Sequence, residues 1–127
     1  MRIMVVEDHP KMMEITVRIL TILGFKDIVE ARSVDDALIK LSNIELDLII
    51  CDYHLRDRDG LDLHRTMVQR PAWADITFVL ITADMDLKPI VQAAKQGVKM
   101  LNKPFTPKSL AEILQELMGP EIFKVAS

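Results

Sequence analysis

Four charged residues of this 127-residue chain each follow a short, mostly apolar segment and are the best candidates for chemistry. Glu7 and Asp8 follow Ile3–Val6, Asp52 ends an apolar run, and Lys103 comes shortly after another. If one pocket holds the three carboxylates, the repulsion between each close pair amounts to kilocalories per mole at an intermediate dielectric constant. We therefore expect a cation in that pocket. Oxygen ligands without a cysteine or histidine cluster favour Mg²⁺, with Mn²⁺ as the alternative.

A carboxylate that lies beside a divalent cation and an ammonium group can accept a phosphoryl group. The two cations neutralise the oxygens of the group in transfer, so positioning and electrostatics supply the catalysis. Asp52 is the candidate acceptor and Lys103 the candidate ammonium group. The hydroxyl of Thr82 can donate a hydrogen bond to the product phosphate.

Five strand-like segments alternate with five helix-like segments and predict how these residues are placed. The strand-like segments are almost continuously apolar, which is typical of strands covered on both faces in a parallel sheet. Because each parallel crossover needs a helix, we predict a doubly wound α/β fold, in which ligands bind at the carboxyl ends of the strands. The predicted strands are Ile3–Val6, Ile28–Val29 with its flanking residues, Leu46–Cys51, Ile76–Ile81 and Val98–Leu101.

Apolar spacing and end signals predict the helices. Ser33 opens the second helix with Asp36 as its partner in a capping box, and Thr106 caps the fifth. The fourth begins near Asp86 and ends at Gly97. The residues predicted to face the core are Met12, Ile15, Ile19, Ile22 and Leu23 in the first helix, Ala37, Leu38 and Leu41 in the second, Leu63 and Met67 in the third, Leu87, Ile90, Val91 and Ala94 in the fourth, and Leu110, Ile113, Leu114 and Leu117 in the fifth.

Composition narrows the class of protein. Half of the residues are hydrophobic, which argues against a disordered chain. The net charge of −3 comes from interspersed acidic and basic residues, which argues against non-specific electrostatic binding of nucleic acid. Cys51 is the only cysteine, so no intramolecular disulfide is expected. We find no membrane span or signal-peptide pattern. These features predict a cytoplasmic protein with one domain over residues 1–118, a short tail over 119–127 and no output domain.

The candidate residues belong to an ordered set of motifs that resembles the receiver domain of response regulators in two-component phosphorelay systems. The resemblance extends from Met1 to about Met118, and in size the chain is similar to single-domain receivers of the chemotaxis type. It implies a flavodoxin-like fold with five parallel strands in the order 2-1-3-4-5 and five helices. The motifs are Glu7-Asp8, Asp52 at the end of an apolar strand, Asp59-Gly60, Thr82-Ala83 and Lys103-Pro104.

The resemblance implies a role for each acidic residue. Asp52 would be the residue that is phosphorylated. Asp8, Asp52 and the backbone carbonyl of His54 would bind Mg²⁺ directly, and Glu7 would act mainly through a metal-bound water.

The resemblance also implies how the phosphate would be bound. Lys103 would pair with one phosphate oxygen, and the backbone N–H of Ala83 would donate to another. Thr82 would move toward the phosphate and report its presence to the surface. A cis peptide would join Lys103 and Pro104, because proline reduces the preference for the trans form.

Three positions differ from the family pattern or vary within it. Met100 stands where receivers usually carry an aromatic residue that rotates inward when the motif threonine moves. Methionine is flexible enough to fill the same space. Whether Met100 couples Thr82 to the output surface as the aromatic residue does stays open at this point. His54 and Asp84 flank the phosphoryl site, and we expect them to set the lifetime of the aspartyl phosphate.

The function implied is a phosphorylation-activated switch. A histidine kinase or a histidine phosphotransfer protein would donate the phosphoryl group, and the modified chain would signal to a protein partner without binding nucleic acid or membrane directly. We expect a monomer, with a phosphorylation-dependent dimer as the alternative. The protein would not be an enzyme beyond its Mg²⁺-dependent self-phosphorylation and autodephosphorylation.

Other interpretations stay open at this point. An aspartate-nucleophile phosphohydrolase typically has a second acid two residues after the nucleophile, where this chain has His54. A scaffold that works without phosphorylation, or a receiver fragment of a multidomain regulator, would share the same fold. Taken alone, Glu7 and Asp8 could also simply cap the first helix.

Overall fold

The computed structural model describes residues 1–83 and 87–123. Within these residues, β-strands alternate with α-helices, and a short 3₁₀ helix precedes the fourth strand. Every helix in these two ranges is too short or too polar to cross a lipid bilayer. The elements are β1 Arg2–Val6, α1 Pro10–Ile22, β2 Asp27–Ala31, α2 Val34–Leu41, β3 Leu48–Asp52, α3 Gly60–Val68, the 3₁₀ helix Pro71–Trp73, β4 Thr77–Thr82, α4 Leu87–Gln96, β5 Lys99–Asn102 and α5 Pro107–Met118.

The five strands form one parallel sheet in the order β2-β1-β3-β4-β5. This confirms the predicted doubly wound α/β fold and its strand order. The central strand β3 is buried along its whole length, as its continuous apolar sequence predicts. Its carboxyl end therefore lies between the ends of β1 and β4, at the middle of the sheet edge.

A hydrophobic core lies on each face of the sheet. Ile49 and Cys51 of β3 point into one core, which includes residues of α2, α3 and α4. Leu48 and Ile50 point into the other, which includes residues of α1 and α5. Because both faces are covered, successive residues of the strand are all apolar, and the strand position of Asp52 is fixed by packing on both sides.

The predicted inner face of α1 is wrong at two of its five residues, although Leu23 packs against the core and Met12 is half-buried. Ile15 and Ile22 are 41% and 66% exposed, and only Ile19 of the predicted set is fully buried. The apolar residues of this helix form two neighbouring stripes, and spacing alone does not decide which one meets the sheet. The buried residues of α1 are Met13, Thr16, Ile19 and Leu20.

The predicted inner face of α4 is also wrong. Leu87 is 72% exposed, and the predicted core residues Ile90, Val91 and Ala94 are exposed as well. The helix packs instead through Pro89 and Ala93, which are four residues apart and share one face. These residues are small, so the helix backbone can approach the sheet closely, while its larger apolar side chains point away.

The helix starts follow the predicted caps. The Ser33 hydroxyl accepts a hydrogen bond from the N–H of Asp36 at 3.0 Å, and the Asp36 carboxylate accepts from the N–H of Arg32 at 3.1 Å. The reciprocal bond of the predicted box is thus made one residue earlier than expected. At α5 the Thr106 hydroxyl accepts from the N–H of Ser109, as the N-cap prediction requires.

Candidate functional site

The strand ends bring the three predicted carboxylates into one pocket. Glu7 and Asp8 follow β1, and Asp52 is the last residue of β3. One carboxylate oxygen from each of the three lies within 4.8 Å of the others. Glu7 and Asp52 are buried and Asp8 is half-buried, so little water screens their mutual repulsion. These three residues form the acidic pocket.

Lys103 closes one side of the acidic pocket. Its ammonium nitrogen lies 3.1 Å from Glu7 Oε1 and 3.2 Å from Asp52 Oδ2, and its side chain is 16% exposed. Burial alone lowers the pKa of Lys103, but the charge of Asp52 and the contacts with Glu7 outweigh it and raise the pKa above its usual value. The lysine is therefore held in its charged form beside the predicted phosphoacceptor.

The surroundings of Glu7 disfavour the ionised form of its carboxyl group. Burial raises its pKa, and the charge of Asp52 raises it further. The N–H of His9, which donates to Glu7 Oε2 at 3.2 Å, and the ammonium group of Lys103 lower it only in part. The net effect is a raised pKa, caused mainly by burial and to a lesser extent by the charge of Asp52.

The excess of negative charge fits a divalent cation. Three carboxylates face one half-buried ammonium group, and the donor set consists of hard oxygen ligands of the kind that Mg²⁺ prefers. Arg56 is a weak additional counter-charge, because its Nε lies 4.0 Å from Asp8 Oδ2 and its side chain is 80% exposed. Exposed pairs of this kind contribute little, so the pocket remains suited to a metal ion.

A glycine allows α3 to begin directly beneath the pocket. A Cβ atom added to Gly60 would lie 2.4 Å from the backbone oxygen of Asp52 and 2.9 Å from Leu80 Cδ1. The N–H of Gly60 donates to the carbonyl of Tyr53 at 2.8 Å, and Asp59 caps the helix by accepting from the N–H of Asp62 at 2.9 Å. The Asp59-Gly60 pair thus lets the helix start pack against the end of β3.

The predicted phosphate-binding residues lie at neighbouring strand ends. Thr82 is the last residue of β4 and is completely buried, and Ala83 follows it and is exposed. The peptide bond between Lys103 and Pro104 is cis. Thr82 pairs in register with Asn102, the last residue of β5, so the residues after both strands start from the same edge of the sheet.

The residues predicted to tune the switch are placed less centrally. Met100 in β5 is half-buried and packs against the core on the α2, α3 and α4 side of the sheet. His54 is exposed, and its ring packs edge-on against that of Tyr53 with a centroid distance of 4.8 Å. Asp84, the second predicted lifetime residue, lies outside the described residues.

Sequence reasoning missed one acidic residue in the loop that follows Asp52. Asp57 lies in the loop between β3 and α3, and its carboxylate accepts hydrogen bonds from the N–H groups of Val34 and Asp35 at 3.1 and 3.0 Å. An aspartate in a loop is usually a turn residue, and its sequence neighbours carry no sign that it contacts α2. Only the fold brings the loop and the start of α2 together.

Comparison with known proteins gives consistent matches along this chain. Residues 3–115 match the family model of the response regulator receiver domain. Chemotaxis protein CheY1 of Helicobacter pylori is 31% identical over 121 residues, which cover 94% of this chain and 98% of that protein.

Solved structures give the same result. The signal receiver domain of a signal transduction histidine kinase from Syntrophus aciditrophicus is 29% identical with a TM-score of 0.83, and the match covers 92% of this chain and 89% of that one. The signal receiver domain of an HD domain-containing protein from Pseudomonas fluorescens Pf-5 is 28% identical with a TM-score of 0.82, covering 92% and 93%. The range that matches the family model contains the acidic pocket and Lys103.

Proposed function

Because this chain belongs to the family of response regulator receiver domains, we propose that it is a phosphorylation-activated switch whose phosphoacceptor is Asp52. Receiver domains are signalling proteins and not classical enzymes, and they generally interact with histidine kinases and with downstream targets. The observation that carries the proposal is the contact of Lys103 with Asp52 at the acidic pocket, at 3.2 Å. This contact supports the proposal, because the oxygens of a phosphoryl group transferred to Asp52 would develop charge beside the ammonium group.

The transfer requires little covalent chemistry from the protein. A carboxylate oxygen of Asp52 forms the bond to phosphorus while the bond between phosphorus and the donor's histidine nitrogen breaks, and the electron pair of that bond stays on the nitrogen. The Asp52 carboxylate is the proposed nucleophile, and the ammonium nitrogen of Lys103 lies 3.2 Å from its Oδ2. A histidine kinase or a histidine phosphotransfer protein is the proposed donor.

Receiver domains bind a divalent metal at an acidic pocket, and the carboxylates of this pocket fit such an ion. We propose Mg²⁺, with Mn²⁺ as a substitute, held by Asp8, Asp52 and the backbone carbonyl of His54, with Glu7 acting through water. A bound divalent cation supplies the positive charge that offsets the phosphoryl oxygens.

Phosphorylation would then change the binding surface. Lys103 and the N–H of Ala83 would hold phosphate oxygens, and Thr82 would move toward them and shift a pre-existing equilibrium in α4, β5 and α5. The packing of α4 supports this, because the fully buried residues of the helix are small ones, Pro89 and Ala93. Met100 would take the part of the usual aromatic residue, and a protein partner would read the altered surface.

The first experiment is incubation with acetyl phosphate or phosphoramidate and Mg²⁺, followed by intact mass measurement. The expected product carries one phosphoryl group in the wild type and none in Asp52→Asn. Asp47→Asn is the matched control, because Asp47 lies just before the other end of β3 and is exposed. Full labelling of Asp52→Asn, or no labelling of the wild type, would refute the proposal.

A pull-down with the phosphorylated protein, or with its beryllofluoride complex, tests the signalling part. A partner should bind this form more tightly than the unmodified one. Equal binding of both forms would favour a scaffold that works without phosphorylation.

A further inference from the structure

The loop between β3 and α3 is closed at its base but exposed at its tip. His54 and Asp59 form an isolated antiparallel bridge, and the N–H of Gly60 donates to the carbonyl of Tyr53 at 2.8 Å. The tip, residues 56–58, is exposed. Without further contacts the tip would be free to move, and its motion would act on the His54–Asp59 bridge at its base.

The Asp57 carboxylate fastens this tip to α2. Oδ1 accepts from the N–H of Val34 at 3.1 Å and Oδ2 accepts from the N–H of Asp35 at 3.0 Å. These are the first two residues of α2, and no helical carbonyl can satisfy their N–H groups. Oδ1 also accepts from the N–H of Arg58 at 3.0 Å, which fixes the carboxylate relative to its own loop.

A second contact runs parallel to the first. The guanidinium of Arg58 lies 2.9 Å from Asp35 Oδ1, so two consecutive residues of the loop bind the same turn of α2. Slight burial would raise the pKa of Asp57, but the backbone N–H groups of Asp35, Val34 and Arg58 outweigh it and lower the pKa, so the carboxylate stays ionised. Negative charge is also favourable at a helix N-terminus.

We propose that Asp57 is a positioning residue for the divalent cation, acting by holding the loop so that the backbone carbonyl of His54 faces the acidic pocket. This inference rests on the proposed function, because it takes that carbonyl to be a metal ligand. Asp57 itself would touch neither metal nor phosphate. Its carboxylate ties α2 to the loop that follows the phosphoacceptor, and through that loop to the geometry of the metal site.

Stabilisation of α2 alone is the competing explanation of the same contacts. Ser33 separates the two explanations, because its hydroxyl accepts the third free N–H of α2, that of Asp36, at 3.0 Å without contacting the loop. Ser33→Ala should weaken the helix start in the same way as Asp57→Ala, yet it leaves the loop fastened. A purely structural role of Asp57 would make the two variants alike in metal binding.

The test is the dissociation constant for Mg²⁺, measured by isothermal titration calorimetry on the full chain. Asp57→Ala should weaken Mg²⁺ binding about tenfold, the lower end of the range for residues that support metal ligands. Asp57→Asn keeps one carbonyl oxygen and should fall between Asp57→Ala and the wild type. Ser33→Ala should leave the constant essentially unchanged, while metal-free thermal unfolding should show a lower midpoint for both alanine variants.

The outcomes separate this inference from the proposed function. If Asp52→Asn weakens Mg²⁺ binding but Asp57→Ala and Asp57→Asn bind like the wild type, only the positioning role is overturned. Equal weakening in Ser33→Ala and Asp57→Ala would also overturn it, in favour of α2 stability. If the wild type binds no Mg²⁺, the proposed function fails and the positioning role fails with it.

Discussion

The ammonium nitrogen of Lys103 lies 3.2 Å from Asp52 Oδ2, although Asp52 ends β3 and Lys103 follows β5, two strands away in the sheet. The same nitrogen lies 3.1 Å from Glu7 Oε1, beyond β1 on the other side of β3. One lysine thus connects the ends of three strands. Its position makes the electrostatics of the acidic pocket a property of the whole sheet edge.

Removal of this cation should slow phosphorylation. Lys103→Ala should reduce the rate of self-phosphorylation by acetyl phosphate about 100-fold, comparable to the loss of one preorganised group that stabilises a transition state. Lys103→Arg, which keeps the charge, should lose less. Lys99→Ala is the control, because Lys99 lies at the start of β5, away from the pocket, and forms a half-exposed ion pair with Glu116 of α5. A rate in Lys103→Ala equal to that of Lys99→Ala would contradict the role of Lys103.

The close approach of α3 to β3 predicts a steric effect at Gly60. Gly60→Ala should lower the free energy of unfolding by about 1–3 kcal/mol, because its Cβ would meet the backbone oxygen of Asp52 at 2.4 Å. Urea unfolding monitored by circular dichroism gives this value. An unchanged or increased stability would show that the helix start does not pack against Asp52 as described, since alanine otherwise favours a helix over glycine.

The corrected inner face of α4 can be tested with two neighbouring alanines. Ala93 is buried against the sheet and Ala94 is exposed. Ala93→Leu should lower the free energy of unfolding by about 1–3 kcal/mol through overpacking, whereas Ala94→Leu should change it by less than about 0.5 kcal/mol. The reverse order would restore the face that the sequence predicted.

The part of the site that the sequence predicted depends on the strands. In a parallel sheet, residues that follow different strands must meet at one edge, so Glu7, Asp52 and Lys103 could be brought together before any coordinates were known. The face of α4 could not be predicted, because its larger apolar residues, Leu87, Ile90 and Val91, share one exposed stripe, while the buried contact surface uses the smaller residues Pro89 and Ala93. The contacts of Asp57 with the start of α2 could not be predicted either, because they depend on how the loop after β3 lies against that helix.

The half-buried ring of His64 predicts a pH dependence of stability. Burial, and to a lesser extent the charge of Arg65, lowers the pKa of His64 below its usual value of 6.5. The unfolded chain therefore binds a proton more readily, so this contribution is complete above pH 6.5 and is lost as the pH falls through the pKa of the folded protein. Nδ1 of His64 also lies 3.1 Å from Gln96 Nε2. In the neutral ring, Nδ1 can accept a hydrogen bond from this amide.

The measurement is the free energy of urea unfolding for wild type and His64→Gln at several values between about pH 5 and pH 7.5. The wild type should lose more stability than the variant toward the acidic end, and the other titrating groups cancel in the difference. Parallel curves for the two proteins would contradict the lowered pKa.

The most direct test of the account locates the modified residue. After phosphorylation with acetyl phosphate and Mg²⁺, borohydride reduction converts an aspartyl phosphate to homoserine, and peptide mass spectrometry identifies its position. We predict homoserine at position 52 alone, and its loss when a chelator removes the metal before labelling. Homoserine at any other position, or labelling that is equally efficient without a divalent cation, would contradict the central claim.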